Sequence, residues 1–384
     1  MRILDVTTDR VLAYRKSNDP IPTSLQIEKT IRNVIRNSVQ TSGADRIAIA
    51  LSTGVDSNLI FSLLRDEYPN IDINCYSVGF YDNHEPLIAK QISESRGADF
   101  KHIVVDNPLR DLVKMISIVK EPRWNIYQYY FIKEAKSHSN VLFTGDGGDE
   151  SFAGYTFRYR KYLSSITARA TPLERTQMYL LCHERDWVPD QEDMFTKDMK
   201  FSWLSIYEIF EKYFNNPLEL LDQILCADYN GKLLHDFVPT NERYFKYFEI
   251  KGEAPLLDDE VVRISLMIPP ALKYDFTNNV GKIPLRTILK RNSTYKFIES
   301  EKIGYGMDLN ALWSKEGREI IISNMENGRI FKDGIINHAW YCSALSRVDK
   351  TGDQRYISKL LQLLSLEIWY KLFITRELKG TESL

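Results

Sequence analysis

Two short segments carry the residues best suited to chemistry. The first is Ser52-Thr53-Gly54-Val55-Asp56-Ser57. It follows a β-type run from Arg46 to Leu51 and opens a stretch with helical character through Leu64. Backbone N–H groups at a helix N-terminus point outward with the positive end of the helix dipole, which suits a phosphate. Gly54 lets the backbone approach an oxyanion closely, and Ser52 and Ser57 can donate hydroxyl hydrogen bonds. Asp56 suits such a cradle only if it holds a cation, and Mg²⁺ takes one or two carboxylates together with phosphate oxygens. The same hexamer also suits a plain helix cap. The second segment is Thr144-Gly145-Asp146-Gly147-Gly148-Asp149-Glu150, with three glycines and three acids at the end of another β-type run. It lacks the spacing of an EF-hand loop. It reads either as an acidic turn or as a loop that supplies a second Mg²⁺ ligand and touches nucleotide and substrate.

The elements that must position these segments alternate. Residues 24–40 have helical spacing, with Ile27, Ile31, Val34 and Ile35 on one face. Strands are predicted over 46–51, 71–78, 100–105 and 141–144, and helices over 85–95, 108–119 and 124–137. Such alternation implies an α/β fold, a parallel sheet flanked by helices on both faces. Ligands in these sheets bind beyond the carboxyl ends of the strands, so the two segments are expected to converge. After about residue 160 strand signals fade and helical spacing dominates. The last clear helix places Ile357, Leu360, Leu361, Leu364, Ile368 and Leu372 on one side. The expected organisation is a lead-in segment over 1–40, a nucleotide-binding core over 41–165, and a helical part over 166–384.

Composition narrows the function classes. The chain has 384 residues, 50 basic against 52 acidic, and a net charge of −2. That balance, without a basic stripe, argues against a nucleic-acid partner. Apolar runs fall short of a membrane span, and Met1-Arg2-Ile3-Leu4-Asp5 has no secretory h-region. Cys75, Cys182, Cys226 and Cys342 are scattered, which suggests reduced thiols in a cytoplasmic setting and no zinc site. His84, His102, His138, His183, His235 and His338 show no metal-ligand spacing. His102 falls within a predicted strand and reads as a core or rim residue. The basic stretch Arg158-Tyr159-Arg160-Lys161 reads as a solvated helix face, with carboxylate binding as the alternative.

Taken together, S-x-G-x-D-S and the later T-G-D-G-G-D-E-x-F-x-G-Y resemble the synthetase domain of asparagine synthetases, an ATP pyrophosphatase of the PP-loop, adenine-nucleotide α-hydrolase-like type. Further resemblances follow in family order: Ser77-Val78-Gly79-Phe80, Glu121-Pro122, Pro255-Leu256-Leu257-Asp258, Gly281-Lys282 with Leu285-Arg286, Lys302-Ile303-Gly304-Tyr305-Gly306, and Leu366-Glu367-Ile368-Trp369. The last is equally well explained as a core helix. The resemblance covers residues 25–375. It implies a two-step ligase that uses ATP and Mg²⁺, adenylates a small carboxylic acid or peptide, and transfers the acyl group to ammonia or an amine with release of AMP. By family position Asp56 and Asp149 hold Mg²⁺, and Leu51, Val78, Thr144 and Gly145 line the ATP site beside Ser52, Gly54, Ser57 and Gly79. Lys302 stabilises charge in the chemical step. An acid at Asp146 leans towards ammonia-type chemistry. The plainer alternatives are a turn-shaping Asp146 and an ordinary surface lysine at 302.

Departures from the family pattern matter. Arg2 stands where glutamine-using relatives carry a nucleophilic Cys, and residues 1–40 leave no room for a glutaminase domain. Nitrogen is therefore expected from free ammonia, a separate glutaminase or an amine substrate. Thr53 replaces a Gly and Asn58 a common Ser. Lys251 stands where the family has Glu before the Pro, flanked by Glu249 and Glu253, to which no role is assigned. The rival readings are a tailoring ligase or cyclase of the β-lactam synthetase or lasso-peptide cyclase kind, a binding partner that has lost turnover, and a tRNA-modifying PP-loop enzyme.

Overall fold

The computed structural model describes residues 4–16, 19–80, 85–167, 169–184, 187–291, 293–298 and 308–384. The chain forms two compact units, each assembled from three stretches. The first comprises Met1–Val104, Gln128–Met178 and Phe210–Gly304, and the second Val105–Tyr127, Tyr179–Ile209 and Tyr305–Leu384.

The elements through residue 165 run α1 (Thr8–Lys16), α2 (Ser24–Ser42), β1 (Arg46–Ala50), α3 (Val55–Glu67), β2 (Asp72–Phe80), α4 (Glu85–Glu94), β3 (Asp99–Val105), α5 (Leu112–Val119), α6 (Gln128–Lys136), β4 (Val141–Phe143), α7 (Gly148–Phe152) and α8 (Thr156–Ser165). The predicted helix over 108–119 begins as a 3₁₀ turn, Pro108–Asp111, before α5. A short β5 (Lys251–Glu253) completes a five-stranded sheet of order β3-β2-β1-β4-β5. β1 pairs in parallel with β2 and β4, and β4 with β5. The strand order therefore reverses direction between β1 and β4. Sheets of this kind bind ligands at that switch point, outside the carboxyl ends of the strands.

The expected α/β architecture and the largely helical C-terminal half are both present. β5 is an addition to the expected strands, since strand signals fade after about residue 160. Three residues with a central glycine offer no side-chain pattern. Backbone pairing of Val141, Leu142 and Phe143 with Lys251, Gly252 and Glu253 makes the strand. Gly252 is needed there because a Cβ would lie 2.0 Å from the Phe245 ring.

The core of the first unit sits between the sheet and α2, α3 and helix Ile283–Leu289. Ile27, Ile31 and Ile35 of α2 pack with Leu59, Ile60 and Leu63 of α3 and with Leu285, Ile288 and Leu289. A capping box between Thr23 and Gln26 starts α2, and Gly43 in the left-handed region ends it. Helix α3 is buried along most of its length. Its end is sealed by Arg65, whose guanidinium donates to the carbonyls of Pro69, Ile71 and Gly97. Near the N-terminus, Arg15 of α1 forms a two-bonded ion pair with Asp222.

The second unit is helical. Trp340 Nε1 and the Tyr356 hydroxyl both donate to the Asp190 carboxylate, at 3.0 and 2.5 Å. Glu367, in helix Gln354–Phe373, is fully buried and accepts the N–H groups of Arg329 and Ile330 at 2.9 and 3.0 Å. Lys371 neutralises it at 2.8 Å. The L-E-x-W motif thus places a carboxylate at the start of helix Arg329–Lys332, where the orphan N–H groups and the dipole favour an anion.

Candidate active site

The first loop leaves β1 at Leu51, whose N–H still donates to the Tyr76 carbonyl at 2.8 Å. The chain then turns through Ser52, Thr53 and Gly54 into α3. Ser57 and Asn58 fix this turn from inside the helix. The Ser52 N–H donates to Ser57 Oγ at 3.1 Å, and the Gly54 N–H to Ser52 Oγ at 3.1 Å. The Asn58 amide donates to the carbonyls of Ser52 and Gly54, both at 2.8 Å. Asn58, a departure in sequence, therefore closes the turn. Asp56 lies in the first turn of α3, where the helix dipole favours its negative charge.

The second loop leaves β4 at Thr144, whose N–H donates to the Glu253 carbonyl and prolongs the β4–β5 pairing. Its glycines permit the two loops to meet. A Cβ at Gly145 would lie 2.7 Å from the Ser57 nitrogen, and one at Gly148 would lie 2.3 Å from Asp56 Oδ1. Gly147 is left-handed at φ 91 and rests against Leu257 of the P-L-L-D segment. Asp149 lies in the first turn of α7.

Asp56 and Asp149 converge on one point, and Lys282 occupies it. The Lys282 ammonium is 2.5 Å from Asp56 Oδ2 and 2.6 Å from Asp149 Oδ1, with its side chain 5% exposed. In the sequence Lys282 stands within G-K-x-x-L-R with no task attached. Each letter of that motif now has one. Gly281 presses on the Ala153 carbonyl, Leu285 enters the core, and Arg286 Nε donates to the Gly281 carbonyl at 3.1 Å.

Asp146 is held by two donors on one oxygen, Thr144 Oγ1 at 2.9 Å and Asn241 Nδ2 at 2.8 Å. Burial raises its pKa, and the nearby Asp56 and Asp149 charges raise it further against those hydrogen bonds. Asn241 comes from helix Val238–Phe248, directly after a π-helical stretch, Asp228–Phe237. No motif in the sequence pointed to Asn241. Its Oδ1 and the neighbouring Thr240 Oγ1 are buried without a hydrogen-bond partner, and π-helical turns recur at functional sites.

Glu150 is buried behind the loop and accepts the Tyr155 hydroxyl at 2.6 Å. Burial, with Asp149 beside it, pushes its pKa up to about 7. Arg158 is a correction to the solvated-face reading. It is buried, paired with Asp228 at 2.9 Å, and lies over the Tyr155 ring, while Tyr159 is fully buried. The mixed residue types of this stretch hide that α8 turns Arg158 and Tyr159 inward and, of the four, leaves only Arg160 fully exposed.

Of the remaining expected site residues, Val78 is buried near the end of β2. Gly79 backs onto His102, whose Nε2 would lie 2.2 Å from a Cβ there. His102 itself is at the exposed rim on β3. Glu249 is exposed, and Glu253 is engaged by Ser38 Oγ and Lys251 Nζ, both at 2.7 Å. Lys302 lies outside the described residues, as does its K-x-G-Y-G loop. A cavity of about 650 Å³ in the first unit, lined by Leu163, Arg175, Leu218, Tyr274 and Phe276 among others, takes none of its walls from the two loops. Among the described residues no helix is long and apolar enough to cross a membrane.

The reversed strand order, with a helix N-terminus and a glycine-rich acidic loop facing each other across it, defines the PP-loop, adenine-nucleotide α-hydrolase-like fold. Within that fold the chain belongs to the asparagine synthase family, which it matches over residues 30–371. Asparagine synthetase (glutamine-hydrolyzing) 1 of Bacillus subtilis strain 168 is 24% identical over 408 aligned positions, covering 94% of this chain and 62% of that protein. A probable asparagine synthetase (glutamine-hydrolyzing) of Acanthamoeba polyphaga mimivirus is 28% identical over 176 positions, covering 43% of this chain and 32% of that protein. The chain thus spans less than two thirds of the length of either relative. A solved structure, the U34-tRNA thiolase NcsA from Methanococcus maripaludis with its 4Fe-4S cluster, is 15% identical with a TM-score of 0.27 over 63% of this chain and 86% of that one, too distant to bear on the site.

Proposed function

We propose that the protein is an ATP-dependent, AMP-forming amide ligase, which adenylates a carboxylic acid and passes the acyl group to ammonia or an amine. The observation that carries this reading is the meeting of Asp56 and Asp149 at one point, beside the N-terminus of α3 and the Asp146 carboxylate. The donor set suits Mg²⁺: two hard carboxylate oxygens aimed at one place, with the remaining ligands left to phosphate and water. The N-terminus of α3, entered through Gly54, suits the nucleotide's phosphates. When bound, Mg²⁺ would neutralise charge that builds on the α-phosphate and the leaving pyrophosphate.

The chain's own residues then have separable tasks. Asp56 and Asp149 hold the metal, and Leu51, Val78, Gly79, Thr144 and Gly145 border the nucleotide. Ser52, Gly54 and Ser57 shape the turn that presents the N-terminus of α3 to the phosphates. The substrate carboxylate oxygen bonds to the α-phosphorus as the bond to pyrophosphate breaks. The nitrogen nucleophile next bonds to the acyl carbon, AMP leaves with the bond electrons, and the nitrogen loses a proton. Asp146, whose pKa burial raises and which Thr144 and Asn241 anchor, accepts that proton in this reading. Lys302 is assigned charge stabilisation by its position in the family motif.

The acid and the amine are a narrower matter. Ammonia-dependent asparagine synthesis is the leading case. The acceptor region favours a tailoring ligase or cyclase as the second reading, since Lys251 replaces the family's Glu, Glu249 is solvent-facing and Glu253 is tied to Ser38. ATP–pyrophosphate exchange with Mg²⁺ across a panel of carboxylic acids, aspartate included, separates these cases. Exchange with aspartate, and ammonium-dependent asparagine formation, supports the first. Exchange with another acid only supports the second. Exchange that persists undiminished in Asp56→Asn would overturn the assignment of the site.

A further inference from the structure

We infer that Lys282 is a positioning residue, an internal counter-ion that holds the Asp56 and Asp149 carboxylates together in the nucleotide-free protein and makes metal entry depend on nucleotide. The inference rests on the functional reading above. Its geometry does not: one ammonium lies 2.5 Å from one carboxylate and 2.6 Å from the other, nearly shielded from solvent.

The backbone is arranged for this contact. Lys282 adopts φ 56, a left-handed conformation that a lysine does not favour, and its N–H donates to the Phe152 carbonyl at 3.0 Å. Gly281 makes the approach possible, since a Cβ there would stand 1.9 Å from the Ala153 carbonyl oxygen. Gly154 opens the space that the pair fills, since its Cβ would lie 1.8 Å from Asp149 Oδ1 and 2.2 Å from Lys282 Cε. The helix that follows is locked into the core by Leu285, Ile288 and Leu289. A left-handed lysine, two obligatory glycines and a buried helix therefore converge to place one positive charge between two acids.

Two carboxylates held this close repel strongly in a poorly solvated site, and a cation between them removes that cost. The same two oxygens are the ones a divalent ion would use. A bare metal ion arriving without nucleotide must displace an ammonium of like sign and receives only two carboxylates in return. With nucleotide present, phosphate oxygens complete the metal's shell and can also receive the displaced ammonium. Lysine suits the task because its charge is compact and its stem flexible, whereas a guanidinium is a rigid fork. Metal therefore enters with nucleotide, and the acid pair is protected before it arrives.

The test uses Mn²⁺ as a spin probe, titrated into nucleotide-free, full-length protein and read by electron paramagnetic resonance. Wild type should bind it weakly. Lys282→Met and Lys282→Gln, which remove the ammonium from between the carboxylates, should each bind it about tenfold more tightly or better. Merely structural support by Lys282 would give the opposite result, since its loss would loosen the site and weaken metal binding. Tight one-site binding by wild type, or unchanged or weaker binding in a folded variant, overturns the inference. Two neutral variants are used so that a folding failure in one leaves the other, and the wild-type titration stands alone in any case. Calorimetric binding of Mg²⁺–ATP to wild type tests the functional reading separately. Its failure alongside tightened Mn²⁺ binding in the variants would remove the nucleotide while keeping the lysine as counter-ion.

Discussion

At the residue scale, the proposed function divides labour between Asp146 and the Asp56–Asp149 pair, and the two half-reactions should separate accordingly. Asp146→Asn keeps the size and the hydrogen-bonding shape of the side chain but cannot accept a proton. Amide formation with hydroxylamine as acceptor is expected to fall about 10²–10⁴-fold, while ATP–pyrophosphate exchange persists. Equal loss of both would instead make Asp146 part of the adenylation step. Asn241→Ala removes one of the two donors that hold the Asp146 carboxylate down in pKa. The acid limb of the pH–rate profile should therefore move to higher pH, and an unmoved limb would detach Asn241 from Asp146. Much of this site was legible in the sequence because Asp56, Asp146 and Asp149 stand in motifs whose residue types are chemically unusual. Asn241 was not legible, since one amide on an aromatic-rich helix carries no signal until folding brings it to Asp146. Lys282 stands within the G-K-x-x-L-R motif, but its partner charges lie 226 and 133 positions away, and only the fold shows them.

At the element scale, long periodic segments declared themselves and short ones did not. Helix α2 and helix Gln354–Phe373 have many turns of consistent apolar spacing, so their sequence alone suffices. β5 has three residues and exists because β4 offers it a backbone edge. Helix Arg329–Lys332 has a single turn, too short to be stable by itself. It is anchored from outside by Glu367, which gives the L-E-x-W motif a structural meaning rather than a chemical one. Glu367→Ala should strand the Arg329 and Ile330 N–H groups in a buried setting and leave Lys371 without this partner. A loss of about 1–3 kcal/mol follows, read as a lowered denaturant midpoint with an unchanged slope. Glu367→Gln retains one oxygen acceptor and should lose less. Equal stability of Glu367→Ala and wild type would mean that the short helix holds without its anchor.

At the scale of the whole molecule, the burial of acids behind the second loop should make stability depend on pH in an unusual direction. Glu150 is buried, and its pKa is pushed up to about 7 from an ordinary 4.5, chiefly by desolvation and then by Asp149, against the Tyr155 hydrogen bond and the Lys232 charge. Between those two values the folded protein holds a proton that the unfolded chain has released. The number of protons bound is then greater in the native state, so stability falls as pH rises through that window. Well-paired surface carboxylates act the other way. Glu67, lowered by its hydrogen bonds to Arg36 and Arg32, contributes stability above the unfolded carboxylate pKa and loses it as pH falls through the lower folded value. The comparison that isolates Glu150 is therefore wild type against Glu150→Gln, a neutral side chain of the same shape that keeps an oxygen acceptor for Tyr155. Melting curves recorded without metal or nucleotide at pH 5 should place wild type level with the variant or above it. By pH 7.5 the variant should have gained on wild type by ~3 kcal/mol at most. If the difference between the two proteins stays constant from pH 5 to 7.5, Glu150 is ionised throughout, and Lys232 with the Tyr155 hydroxyl compensates its burial in full. In that case Asp149 has a second negative charge beside it on Glu150, and the demand on Lys282, the cation that contacts Asp149, is correspondingly greater.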